Sequence, residues 1–166
     1  MDGRSNVDEL RQEAEITKLL LDHVPEDKLE WRPHPKSMSL CQLALHLASV
    51  PGDVSQLAQL YQFDAANANF EPAMSESKGM LINALRKSPS EASEYLAALS
   101  PDAAVAPWRL TLRGAEVLSM PRAVMLRSLL LNNWYHHRGQ LSVYLRLLDA
   151  PAPVIYGRRA DENPLA

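Results

Sequence analysis

With 166 residues, 46% of them hydrophobic and 22% charged, the chain is long enough to bury one substantial core, and a single domain over residues 1–166 is expected. A formal net charge of −3 argues against a nucleic-acid backbone binder, which needs a basic face. The lone cysteine, Cys41, excludes an intrachain disulfide; with neither ~18 unbroken apolar residues nor a signal-peptide arrangement, a cytoplasmic protein without membrane contact is expected.

The elements read as helices, with one short interruption. Asn6 followed by Glu9 has the form of a capping box, and Leu10, Ala14, Leu21 and Val24 then repeat at helical spacing until Pro25. Trp31-Arg32-Pro33-His34-Pro35 cannot continue a helix, because each proline lacks a donor and pushes its predecessor to extended geometry. Ser39 with Gln42 forms a second capping box, and Leu40, Leu43, Leu47 and Val50 mark the buried face of a second helix. Pro51-Gly52 is expected to kink or briefly break it before Val54–Tyr61 resume the pattern. After a polar connection around Asp64–Pro72, a third helix is predicted from about Ser75 to Leu99, with Ser88-Pro89 bending it or restarting it. PDAAVAP then reads as a linker. Residues 108–118 alternate bulky apolar and polar residues around Arg113-Gly114, which predicts a small hairpin. Pro121 opens a last helix to about Asp149, roughly 40 Å long at ~1.5 Å per residue, stopped by Pro151 and Pro153.

That last helix carries the chemistry. Asn133 and His137 are four apart, so their side chains share a face and can address one point. Leu126, Leu130, Leu141, Tyr144 and Leu148 run along the same stripe, directing both polar groups at a packing interface where they need partners. His46, beside Leu43, Leu47 and Val50 on the second helix, is the natural third member. His136 lies about 100° away and reads as a surface or dimer-interface residue. His23 and His34 fall in or beside a loop. Cys41 is five residues before His46, off its face, and reads as a packed thiol.

His137-Arg138-Gly139-Gln140, His46 within SLCQLALHLASV, the approach EWRPHPKSMSL and the trailing APAPVIYGRRADE together resemble the DinB family, from about Trp31 to Asn163. The resemblance implies an all-α fold, a four-helix bundle with a short hairpin or extended insertion before the last helix, a metal site of three histidines, and a homodimer formed through helices. The family pattern His-x-x-x-His-Arg-Gly-Gln is matched except at its first position, which is Asn133 here. His46, Asn133 and His137 are therefore the expected metal-site residues.

Three neutral imidazoles would suit Zn²⁺, Ni²⁺ or Fe²⁺ and leave positions open for water or substrate. An Asn offers only its carbonyl oxygen, a weaker donor with a shorter reach. Either two histidines, the amide and waters hold a metal weakly, or the site is a polar pocket in which Asn133 hydrogen-bonds His46 or His137. The resemblance implies a metal-dependent hydrolase or thiol-dependent transferase acting on a small molecule. The alternative is a non-catalytic dimeric binding bundle that has lost the metal. Arg138, Gln140 and Asp161 read as structural, with Arg138 and a tail of Arg158, Arg159, Asp161 and Glu162 forming an ion-paired clasp. Gly139, costing ~1 kcal/mol inside a helix, suggests a close helix contact. Trp134 and Tyr135 read as core or interface.

Overall fold

The computed structural model describes residues 3–69, 71–75 and 77–157. Four long helical stretches make the architecture: α1 (Gly3–Asp22), α2 (Leu40–Gln59), α3 (Lys78–Ala98) and a composite last helix. The composite comprises α5 (Arg122–Met125), a π-helical segment (Leu126–Asn132) and α6 (Asn133–Leu147); the short α4 (Pro101–Val105) precedes the hairpin. α1 packs on α3, α3 on α2, α2 on the composite helix, and α6 closes the ring against α1. Leu10, Leu21, Leu43, Leu47, Leu81, Leu130, Trp134 and Leu141 lie in the shared core. The class is all-α with a minor sheet. No helix among the described residues is long and apolar enough to cross a membrane.

The capping box at Ser39 forms as the sequence predicts: Ser39 Oγ accepts from the Gln42 N–H and Gln42 Oε1 accepts from the Ser39 N–H. The approach loop completes the start of α2, its Trp31 and Leu29 carbonyls accepting from the N–H groups of Leu40 and Cys41. Trp31 also packs edge-on against Tyr144, 5.5 Å between ring centroids, which ties this loop to α6. Cys41 is fully buried, its thiol donating to the Ser75 carbonyl at 3.0 Å and accepting from the Ser75 N–H at 2.8 Å.

Several local expectations are corrected. Asn6 lies inside α1, which already begins at Gly3, so it caps nothing. Neither internal proline breaks its helix. Ser77, not Ser88, caps α3, its side chain accepting from the Met80 N–H. Ser88 instead bridges two helices, accepting from the Gly52 N–H at 2.7 Å and donating to the Ser49 carbonyl at 2.8 Å. A β-carbon at Gly52 would sit 3.1 Å from Ser88 Oγ and 3.2 Å from its Cα, so glycine is what lets α2 and α3 approach this closely. PDAAVAP is not a bare linker, since Ser100 caps α4 within it.

The predicted hairpin is present. β2 (Pro107–Leu112) and β3 (Ala115–Pro121) pair antiparallel, with Arg113 (φ 52°) and Gly114 (φ 81°) at the turn, the double positive-φ geometry that favours glycine. A third strand, β1 (Gln62–Asp64), adds to β2 in parallel. Asp64 holds the hairpin turn directly, its carboxylate accepting from the N–H groups of Arg113 (2.9 Å) and Gly114 (2.8 Å).

Candidate functional site

The site forms where the middle of α2 faces the junction between the π segment and α6. A π turn spends about one more residue than an α turn, so it retards the phase of everything after it. The sequence periodicity puts Asn133 and His137 at the centre of the buried stripe; the structure buries Trp134 and Arg138 there instead. Asn133 and His137 are half-buried, on the flank that meets α2. The Asn133 N–H is shared between the Ser128 and Leu130 carbonyls, so this residue marks the change of helix type.

The three expected residues do come together. The rings of His46 and His137 meet edge to face, 4.6 Å apart and inclined at 87°, and the Asn133 side chain lies beside His46, close enough to favour its protonated form. His137 Nδ1 lies 2.7 Å from Gln140 Oε1. An amide oxygen only accepts, so Nδ1 carries the proton and Nε2 keeps its lone pair. Gln140 thereby fixes the tautomer and orientation of this imidazole.

Burial pushes the pKa of His46 below the usual 6.5, partly offset by the Asn133 side chain and by the carboxylate of Asp53. His137 is pushed down mainly by burial too, with Gln140 opposing and the neighbouring His46 and His136 reinforcing the fall. Both rings are thus biased to the neutral form that ligation requires. His136 is exposed, its ring 5.0 Å from that of His137, in keeping with a surface position.

Among the described residues no group of three or more His, Cys, Asp or Glu could hold a metal ion. The donor set is two imidazoles with an amide beside one of them, and it falls short of a three-imidazole site.

Two residues near the site escaped the sequence reading. Asp53 is seven positions after His46, two turns on along the same face, a spacing that could have revealed it. Gln140 was read as structural, whereas it orients a site residue.

Arg138, buried beside the site, has its own partners. Its Nη2 pairs with Glu13 Oε2 at 2.5 Å and contacts the Tyr156 hydroxyl; its Nη1 donates to the Glu13 carbonyl at 3.2 Å. Tyr156 donates to the same Glu13 carboxylate, and the Tyr135 hydroxyl donates to Glu9, which Arg127 also holds. Burial and the Glu13 carboxylate push the Tyr156 hydroxyl up to about 12. A clasp over the bundle thus exists, but its described anchor is Tyr156; Arg158, Arg159, Asp161 and Glu162 lie outside the described residues. The close contact expected at Gly139 is not found: it is exposed, and a β-carbon there would meet no atom within 4 Å among the described residues. Trp134 is core, its indole N–H donating to the Leu47 carbonyl.

Solved structures share this architecture. A DinB-like protein from Bacillus subtilis superposes with a TM-score of 0.69 at 16% identity, covering 92% of this chain and 97% of the other. Another from Bacillus cereus gives 0.65 at 21% identity, covering 88% and 92% respectively. No curated protein matches the chain significantly. The DinB family itself matches from residue 4 to residue 164, a span that takes in all four long helices, the hairpin and the histidine site, and the chain belongs to the DinB family.

Proposed function

We propose that this protein is a metal-assisted enzyme acting on a small molecule, a hydrolase or a thiol-dependent transferase, with a weakened divalent site formed by His46 and His137. The observation that carries this reading is the face-to-edge meeting of those two rings, both biased to the neutral form. His46 and His137 would hold the ion, Zn²⁺, Ni²⁺ or Fe²⁺, with the Asn133 oxygen as a weak third donor. Such an ion lowers the pKa of a bound water or thiol and so supplies a nucleophile near neutral pH. Gln140 holds the His137 ring in register, and Asp53 places a carboxylate charge near His46.

A second reading has an observation of its own. The Asn133 amide lies beside His46 and favours its protonated form, which supports a polar pocket in a non-catalytic binding bundle. On either reading we propose a homodimer through the outer face of the last helix, where Leu129, Val143 and Leu147 are exposed; sedimentation velocity tests it, a monomer at high concentration refuting it.

The two readings separate on metal content and thermal stability, with Asn133→His beside the natural chain. An ion that binds only the native state must raise Tm. The enzyme reading expects Zn²⁺ or Ni²⁺ to stabilise the natural protein at high concentration and to bind Asn133→His at least tenfold tighter, about 1.4 kcal/mol. Stabilisation of the variant alone supports the binding bundle. No response in either protein would show that these residues do not share an ion.

A further inference from the structure

Away from the histidines, the composite helix walls a cavity of about 120 Å³. It is lined by Leu96 from α3, Leu130 from the π segment, Ala104 of α4 and Ala123 of α5, with Asn6 and Arg127 as its polar members. Of the ten described lining residues, eight carry only hydrocarbon side chains. Water is held inside proteins by two to four polar partners, which such walls do not supply, whereas an apolar cavity of about 150 Å³ takes up benzene. The hollow is partly open to solvent, its Pro101 exposed while Leu96, Leu126, Leu130 and Leu131 are buried, so a ligand that enters would add dispersion contacts to those buried side chains.

Charge selects the ligand class further. The Arg127 guanidinium is already paired with the Glu9 carboxylate at 2.9 and 3.1 Å, so the cavity offers an anion little net attraction. The Asn6 amide remains as a polar group in the lining. An independent observation points the same way: Leu126, Arg127, Leu130 and Leu131 all belong to the π segment, and π turns are frequent at functional sites.

We propose that this cavity binds a compact, uncharged, mostly hydrocarbon ligand, a single aromatic ring or branched alkyl group bearing at most one hydrogen-bonding head. The site is separate from the histidine pair and needs no metal.

Toluene and phenol serve as neutral probes and benzoate as the charged control, with chelator present throughout. Both neutral probes are expected to raise Tm saturably by several degrees, and benzoate to bind at least tenfold more weakly. In methyl NMR spectra of the natural protein, toluene is expected to shift Leu96, Ala104 and Leu130 ahead of other methyls. Ala104→Leu and Ala123→Leu fill the hollow from two different helices, and each is expected to weaken toluene binding at least tenfold. Absence of a saturable response would overturn the proposal. So would methyl shifts scattered over the core, equal toluene binding by a folded filled variant, or benzoate binding as tightly as phenol. If neither variant folds, the methyl shifts in the natural chain decide.

Discussion

The indole N–H of Trp134 donates to the backbone carbonyl of Leu47 at 2.8 Å, and Leu47 is the residue whose carbonyl Pro51 leaves without an intrahelical partner. A defect in one helix is thereby filled by a side chain of another, and the two histidine-bearing helices are tied together at the site. Trp134→Phe should cost about 2 kcal/mol by stranding a buried carbonyl. Adding Pro51→Ala restores a backbone donor at position 51, so the double variant should lose clearly less than the two single losses summed. Urea denaturation of the four proteins measures the cycle; strict additivity would refute the link.

Arg138 and Glu13 form a buried ion pair at 2.5 Å, their side chains only 2% and 9% exposed. Removing one partner of such a pair typically costs about 3–5 kcal/mol, because the other charge stays buried. Arg138→Met should therefore be severely destabilised, and Glu13→Leu in the same chain should recover part of the loss. Equilibrium unfolding would contradict this if Arg138→Met alone unfolded within 1 kcal/mol or so of the natural chain.

Burial holds the folded-state pKa of both His46 and His137 below 6.5. Protons then bind the unfolded chain more readily, so stability is unaffected by these groups above about pH 6.5 and declines as pH falls below it, levelling off beneath the folded-state values. Melting curves between pH 8 and pH 5 should show this fall, and His46→Gln should flatten it. An unchanged slope in the variant would place the titrating group elsewhere.

Gln140 fixes the His137 ring through its Nδ1. Losing such a support typically lowers metal affinity about 10–100-fold. Gln140→Leu should accordingly weaken Zn²⁺ binding in the Asn133→His background, while Gln140→Glu, which keeps an acceptor, should retain it. Equal isothermal titration curves for all three would mean the ring needs no support.

Asp64 accepts backbone N–H bonds from Ala66, Gly114 and Arg113, which depress its pKa below the usual 3.8. A depressed carboxylate stabilises the fold above the unfolded-state pKa and loses that contribution as pH falls through the folded-state value. Asp64→Ala should speed amide exchange at Arg113 and Gly114 by at least tenfold near neutral pH. Unaltered exchange there would show that the turn holds itself.

Much of this was legible in the residues. Ser39 and Gln42 announce a helix start by local chemistry alone, and Arg113-Gly114 announce a turn because few other pairs tolerate its backbone. That His46 and His137 meet was legible from spacing and resemblance. What escaped depends on partners distant in sequence. Pro51 looked like a break because the sequence shows the missing donor but not the Trp134 indole, 87 residues from Leu47, that stands in for it. β1 is three residues long and pairs with a strand far along the chain. The π segment leaves no trace in composition, since an α reading of the same leucines is equally periodic. Gly139 was over-read for the opposite reason: its local cost is visible, but the space around it is not.

The clasp of Glu13, Arg138 and Tyr156 sets an order of events during synthesis. Glu13 leaves the ribosome 125 residues ahead of Arg138, an interval of about 6–25 s at about 5–20 residues per second. Throughout that time α1 cannot sink its carboxylate into the core without burying an unmatched charge. The packing of α1 on α3 can form earlier, but its closure against α6 must wait for nearly the whole chain, and a nascent chain that stalls within α6 leaves the Glu13 side of α1 uncovered and open to proteases.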